Sequence, residues 1–481
     1  MIVPLVGAAL AFVVGRRLAP YASIAAAAVT AGLAGWLAVG VLHNGARRYT
    51  VGGWGAPLGI DLVADGTAAV FLLLSAVVGL SVTLYATGYF RPGAEARGRD
   101  LFWTLWLFMW TALNGLFLTG DVFNVYVCLE LVGMSAVALV SIAEGGQALR
   151  AALRYLFASI LAAMTYLMGV ALLYAATGLL DMELLRAAAT WDVTATTGAG
   201  LMIAALVLKT ALVPAHFWLP PAHSAAPTPV SAILSALVVK GSYFVLLRLV
   251  FDVTPPGALG AVPQLLGVLG AAAVVWGSVQ AFLQTRVKLL VAYSTVAQIG
   301  YLFFVFPLAT ASAAALPGAF SGALMHATAH GFAKTAMFLA AGGLITRFGH
   351  DRIPEMAGAA RTAPVLVFTF ALAGVTMMGL PPSGGFAAKW LLVSASLVSG
   401  QWWWGAVIVL GGLLAAVYVF RAVQLFMRDG SPALASVPAP VRTEWLPLAL
   451  AIFSVGLSLA SPLIVRLAEA GSVLVRAGVT P

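Results

Sequence analysis

Apolar runs long enough to cross a bilayer recur from one end of this sequence to the other, with only short polar stretches between them. A hydrocarbon core about 30 Å thick takes roughly 20 apolar residues to cross as a helix. Backbone groups in lipid find no water, so only helices and closed barrels can span it. The strict alternation of barrel strands is absent, and the expected fold is all-α and polytopic. Fourteen spans can be placed, at 1–15, 20–42, 63–85, 101–119, 121–142, 152–177, 199–219, 228–251, 259–284, 287–308, 313–346, 363–398, 402–427 and 443–468. What is left over is too short for a soluble domain, so 1–481 is read as one membrane domain. Charged residues make up 9% of the chain, against about 25% in soluble domains.

The formal net charge of +9 does not cluster into a nucleic-acid footprint; basic residues sit in short loops, where they act as orientation signals. Loops after odd-numbered spans hold fifteen: Arg16, Arg17, Arg91, Arg97, Arg99, Arg150, Arg154, Arg286, Lys288, Arg347, Arg352, Arg361, Arg421, Arg428 and Arg442. Loops and tail after even-numbered spans hold six: Arg47, Arg48, Arg186, Arg248, Arg466 and Arg476. The positive-inside rule then puts the odd loops in the cytoplasm and both termini outside. Met1–Val14 is apolar and precedes Arg16–Arg17, the reverse of a signal peptide's order, so a retained first span is expected. Gly52–Asp61 reads as a short extracytoplasmic ribbon or loop. The single cysteine, Cys128, excludes an internal disulfide and reads as a packed core thiol.

The lysines stand in the wrong place for a surface role. Of five, Lys209, Lys240, Lys334 and Lys389 lie deep in apolar spans. Each has about ten span residues on either side, roughly 15 Å at helical rise, which is near the midplane. The twenty arginines sit in or beside loops. Arginine stays charged everywhere, whereas a buried lysine can give up its proton. A site that must accept and release protons can use the second and not the first. Among sixteen acids Glu130 alone lies well inside a span, where a lone carboxylate costs on the order of 3 kcal/mol or more. A membrane lysine is its expected partner. A fixed interhelical ion pair would explain two of these residues; it does not explain five.

His326, His330 and Lys334 follow at intervals of four, on one helical face about 6 Å apart. Imidazoles titrate near neutral pH and pass protons through either ring nitrogen. Zinc is a rival reading, but no glutamate lies between the histidines as in a zincin, and Lys334 would repel a cation; no metal is expected. Hydrogen-bonded core histidines are the plain alternative. Pro214 in the seventh span and Pro381 in the twelfth free backbone groups, which lipid tolerates only against protein or a wet cavity. Broken helices beside a transport path are therefore expected. His216 and His223 flank Pro220–Pro221 and complete a candidate wet gate, with ordinary solvated loop histidines as the alternative. Trp402–Trp404 reads as an interfacial anchor. No nucleotide loop or redox-centre motif occurs, so neither a cofactor nor a catalytic redox site is expected.

Four stretches carry a resemblance: Gly53–Asp61 (GWGAPLGID), Lys209–Val230 (KTALVPAHFWLPPAHSAAPTPV), Ala292–Gly300 (AYSTVAQIG) and Gly379–Lys389 (GLPPSGGFAAK). Nearly the whole chain resembles the antiporter-like subunits shared by Mrp-type sodium/proton antiporters, respiratory complex I and membrane-bound hydrogenases. The resemblance implies about 14 transmembrane helices with two inverted five-helix repeats, 101–251 and 259–427, broken at helices 7 and 12. Residues 1–100 would supply helices 1–3 and 443–468 helix 14. It implies a proton-translocation route through Glu130, Lys209, Lys240, His326, His330, Lys334 and Lys389. It also implies a bacterial cytoplasmic membrane, other membrane subunits as partners, and protons and sodium as candidate cargo. A lysine at 389 suits the D-type subunit of the Mrp antiporters and equally the complex I subunit that neighbours the quinone module; the first is the favoured reading. The equivalent proton-pumping subunit of complex I or of a hydrogenase stays open, where partners would carry the electrons. A scaffold with vestigial charges is the third reading, and retention of every charged position speaks against it.

Overall fold

Glycine at 15 turns the first apolar stretch into two. Helix α1 (Ile2–Asn44) is interrupted there, where Gly15 takes φ 71°, a region open to glycine at no steric cost. A Cβ on Gly7 would fall 2.5 Å from Cβ of Ala26, so the two arms pack back to back. Arg16 at the turn pairs with Asp100 at 3.1 Å. The computed structural model describes residues 1–90, 100–143, 145–188, 191–430, 442–471 and 474. Arg91, Arg97, Arg99 and Arg476, counted above as orientation signals, lie outside the described residues.

The stretch 52–60 is the loop that joins the two strands of a ribbon: β1 (Arg47–Thr50) pairs antiparallel with β2 (Asp61–Ala64), Arg47 opposite Ala64. Helices follow almost without interruption: α2 (Gly66–Tyr89), α3 (Phe102–Leu118), α4 (Val122–Ser141), α5 (Gly146–Thr177), α6 (Val193–Thr210) and the short α7 (Leu219–Ala225). Next come α8 (Thr228–Val253), α9 (Val262–Leu283) and α10 (Val287–Ala311). The chain continues with α11 (Leu316–Phe348), α12 (Pro364–Met378), α13 (Gly384–Val398), α14 (Trp402–Met427) and α15 (Glu444–Glu469). Ten of these helices are long and apolar enough to cross a membrane; α3, α12 and α13 are shorter and apolar. Asp65, Asp121 and Asp192 cap α2, α4 and α6, each accepting from a backbone N–H of the first turn.

Burial sorts the helices. α8 is apolar nearly all round and wholly buried, and α10 nearly so, whereas α1, α14 and α15 show most of their surface. α11 runs for 33 residues and is buried over most of its length. The helices that carry Lys240, His326, His330 and Lys334 are therefore core helices. Two π-helical turns, Leu234–Val238 and Leu249–Val253, stand on either side of Lys240 in α8. The tryptophan run divides: Trp402 and Trp403 face outward, while Trp404 is buried and donates to Gln401 Oε1 at 2.7 Å. Cys128 is buried, as a core thiol should be.

Two basic residues assigned to loops are buried in helices instead. Arg248 lies in α8 and bonds Asp65 at 2.5 Å and Asp252 at 2.7 Å. A guanidinium keeps its charge, so it enters a core only where carboxylates meet it. Asp65 and Asp252 are themselves buried, so Glu130 is not alone among the acids in leaving water. Lys288 sits in the first turn of α10, buried, and donates to the backbone oxygens of Ser224 (3.4 Å) and Ala226. Arg48 of β1 binds three carboxylates, Asp61 and Asp181 at 2.7 Å and Glu183 at 2.5 Å, tying the ribbon to the segment between α5 and α6.

Candidate functional site

Glu130 and Lys209 meet as expected. α4 presents Glu130, and Lys209 is in the last turn of α6, one residue before that helix breaks. The ammonium lies 3.5 Å from Glu130 Oε1 and donates to Ser159 Oγ of α5 at 3.0 Å. Room for this comes from Gly133, one turn beyond Glu130: a Cβ there would fall 2.4 Å from Ser159 Oγ. The Lys209 side chain is 9% exposed and Glu130 25%. Glu130 shares an outward face of α4 with Val127, Leu131 and Met134.

The break after Lys209 begins at Ala211, the one described non-glycine residue with positive φ, 59°. Thr210 Oγ1 donates to Ser242 Oγ of α8 at 3.0 Å, a hydroxyl bridge between the helices that bear Lys209 and Lys240. Lys240 is wholly buried, and its ammonium donates to the Ser235 carbonyl at 2.5 Å. That oxygen belongs to the first π-helical turn, where the ordinary i to i−4 ladder is interrupted. π-turns of this kind recur at functional sites. Ser235 Oγ meets Thr295 Oγ1 of α10 at 2.9 Å, so hydroxyls lead on toward the second half of the chain.

The α11 stripe faces α10. Lys334 donates to Val291 O at 2.9 Å and to Ser294 Oγ. His326 Nε2 donates to the Gln298 carbonyl at 3.0 Å, since a carbonyl can only accept. The His326 and His330 rings lie nearly parallel, centroids 5.8 Å apart. Neither nitrogen of His330 has a hydrogen-bond partner among the described residues, although the ring is fully buried and within electrostatic reach of Lys240, Lys334 and Lys389. Among the described residues no group of three or more His, Cys, Asp and Glu could hold a metal.

Lys389 ends the series. From α13 its ammonium reaches back across the second break to the carbonyls of Met377 (2.9 Å) and Met378 (3.1 Å), the last of α12. Those carbonyls are left over because α12 stops at Gly379, φ 78°. A Cβ on Gly379 would fall 2.6 Å from Lys389 Cδ, so glycine serves both the turn and the lysine's passage. The ammonium also lies 4.4 Å from the centre of the Tyr301 ring. Gln298 Nε2 donates to the same Met377 oxygen at 3.0 Å, which links His326 to Lys389 through Gln298 and Met377.

Of the four gate candidates, Pro214 and His216 stand two residues apart at the first break, His223 follows in α7 and Pro381 stands at the second break. Pro214 and Pro381 mark the two breaks and face outward. His216 is part-exposed and accepts from Trp276 Nε1 at 3.1 Å. His223 is fully buried, stacked on Phe338 of α11 with centroids 4.9 Å apart, and neither ring nitrogen has a partner among the described residues. Sequence reasoning missed the connectors Ser159, Thr210, Ser235, Ser242, Ser294, Thr295, Gln298 and Tyr301. A weak signal existed, since hydroxyls and an amide at the depth of the lysines have no reason to face lipid.

Fold and site together define a polytopic membrane protein with buried lysines and histidines strung between two broken helices. The chain belongs to the family described as NADH:quinone oxidoreductase/Mrp antiporter, transmembrane, which matches residues 119–415. NADH-quinone oxidoreductase subunit N of Desulforudis audaxviator is 37% identical over 451 residues, 92% of this chain and 88% of that protein. The D-type subunit of the Na(+)/H(+) antiporter of Bacillus subtilis is 30% identical over 404 residues, 83% of this chain and 80% of that one. A chain of the Mrp complex from Dietzia sp. shares the fold, with a TM-score of 0.88 at 23% identity over 99% of this chain and 97% of that one.

Proposed function

We propose that this chain is a proton-translocating subunit of a multi-subunit membrane complex, in the first instance the D-type subunit of an Mrp cation/proton antiporter. The observation that carries this is the succession of titratable groups from Glu130 to Lys389, in which Lys209, Lys240, His326, Lys334 and Lys389 are buried or nearly so and each meets a hydroxyl, carbonyl or carboxylate. The second reading is the equivalent subunit of a complex I-type oxidoreductase, favoured by the 37% identity to a protein named subunit N.

The ten long helices, the second arm of α1, α3, α11 and the joined pair α12–α13 make fourteen crossings. Two inverted repeats, 101–251 and 259–427, are supported by the breaks. Each has a residue at positive φ with a proline three places on, Ala211 with Pro214 and Gly379 with Pro382. Both termini lie outside the cell. A carboxylate a quarter exposed at membrane depth calls for a neighbouring membrane subunit over the Glu130 face.

Transport follows from repulsion among like charges in a medium of low dielectric. While Glu130 holds Lys209, positive charge rests at one end. Opening of that pair frees the ammonium to pass its proton through Thr210 and Ser242 toward Lys240. A charge arriving there repels one on Lys334, and the histidines hand a proton to Lys389. Water fills the gaps between groups that do not touch. The breaks at Pro214 and Pro381, with His216 and His223, are where the route opens to either side. Sodium is the counter-ion in the antiporter reading. A His326→Gln/His330→Gln double variant keeps hydrogen bonding and removes titration near neutral pH. Normal assembly with strongly reduced transport is expected; unchanged transport would remove the stripe from the route. Identification of co-purifying subunits separates the two readings.

A further inference from the structure

A cleft of about 540 Å³ opens where the two halves of the chain meet, on the face that carries the ribbon. One wall is the end of α8, with Val250 and Phe251, and the other holds the starts of α9 and α11, with Gln264 and Leu316. Arg186, from the short helical turn Met182–Ala187, also lines it. Its Nη1 donates to the Phe251 carbonyl at 2.5 Å, which fixes the guanidinium against the α8 wall. Among the described residues no carboxylate lines the cleft, and the acids nearest in sequence are engaged elsewhere. Glu183 pairs with Arg48 at 2.5 Å and Asp252 with Arg248 at 2.7 Å. No side chain caps α9 or α11, so the positive ends of two long helices add to the same field. Below the cleft, Leu265, Val268 and Val275 form an exposed apolar stripe along α9.

We propose that this cleft seats an anionic, glycerol-headed phospholipid, with its phosphate on Arg186 and its acyl chains along the α9 stripe. A part-buried guanidinium in a mostly apolar wall calls for an anion from outside the chain, and phosphate oxygens match its forked donors. Gln264 Nε2 donates to Gln401 Oε1 at 3.2 Å, which leaves Gln264 Oε1 to accept from a headgroup hydroxyl. A zwitterionic headgroup fits worse, because its ammonium would meet a guanidinium and two positive helix ends with no carboxylate to offset them. The lipid bridges the last turn of α8 to the first turns of α9 and α11 and fastens the halves together at this face. A role for Arg186 as a mere cap on α8 accounts for the Phe251 bond, but not for the cleft or the missing counter-charge.

Native mass spectrometry of the assembled complex, purified in mild detergent, tests this by counting bound lipid as phosphatidylglycerol, phosphatidylcholine or inorganic phosphate is added. The parent should hold one phosphatidylglycerol that Arg186→Gln binds about tenfold more weakly, although glutamine can still donate to the Phe251 carbonyl. Arg186→Lys keeps the charge and should retain most of the binding. Ala313→Trp fills the cleft without changing its charge and should lose the same lipid. Equal phosphatidylglycerol binding by the parent and Arg186→Gln overturns the site, and so does equally tight phosphatidylcholine in the parent. Displacement of the lipid by inorganic phosphate would make this a free-anion site and overturn the lipid assignment. Should Arg186→Gln fail to assemble, Ala313→Trp decides, and lipid retained there overturns the location.

Discussion

Replacing Glu130 by glutamine removes one charge and leaves nearly the same shape. Unit charges 3.5 Å apart attract by roughly 5 kcal/mol at an effective dielectric of about 20. The Glu130 side chain is 25% exposed, so screening trims that figure, and about 3 kcal/mol is a fair working value. Each 1.36 kcal/mol is tenfold in rate, so a route driven by opening and closing this pair should slow about a hundredfold. Assembly should survive, because Ser159 still accepts from Lys209 at 3.0 Å and the glutamine oxygen can take the carboxylate's place. The assay is the pH gradient formed across inverted vesicles, followed by quenching of a weak-base dye and normalised to assembled chain. A rate within about threefold of the parent would show that the pair's energy is not coupled to transport.

Other substitutions probe the neighbouring links. Lys240→Arg should fail as badly as Lys240→Ala, because a relay must deprotonate and arginine cannot; full activity in the arginine variant would mean that only a fixed charge is needed. Gly379→Ala should cost roughly 1–3 kcal/mol from its positive φ and displace Lys389, whose Cδ would lie 2.6 Å away, lowering both the melting temperature and the flux. Arg248→Leu should cost about 3–5 kcal/mol by taking the cation from buried Asp65 and Asp252, read as loss of assembled protein in the membrane; normal levels would show that the cluster is not structural.

Much of the site was legible because its cost is written in the sequence. A lysine or glutamate ten residues inside an apolar run needs a partner, and Lys209 found Glu130 across 79 residues. The breaks were legible too, since Pro214 and the Gly379–Pro382 run cannot continue a helix. The connectors were not. Ser159, Thr295 and Gln298 are ordinary residues whose role depends on which helix faces them. Arg248 looked like a loop signal because its partner Asp65 is 183 residues away, and Lys288 because a helix start resembles a loop when only hydropathy is read. The π-turns beside Lys240 leave no composition mark. Gly52–Asp61 reads as a ribbon or loop, and the structure makes it the loop of a ribbon; that Arg48 pins the ribbon to Asp181 and Glu183 was not legible.

In the proposed mechanism one route joins both halves of the chain, from Glu130 to Lys389. Its most direct test is proton flux into liposomes that hold the purified complex, compared between the parent and Lys389→Met. This change leaves the Glu130–Lys209 pair intact and removes only the ammonium that caps the Met377 and Met378 carbonyls. Flux as low as in Glu130→Gln is expected. Parental flux in an assembled Lys389→Met complex would contradict it, because protons would then be leaving without reaching the second break.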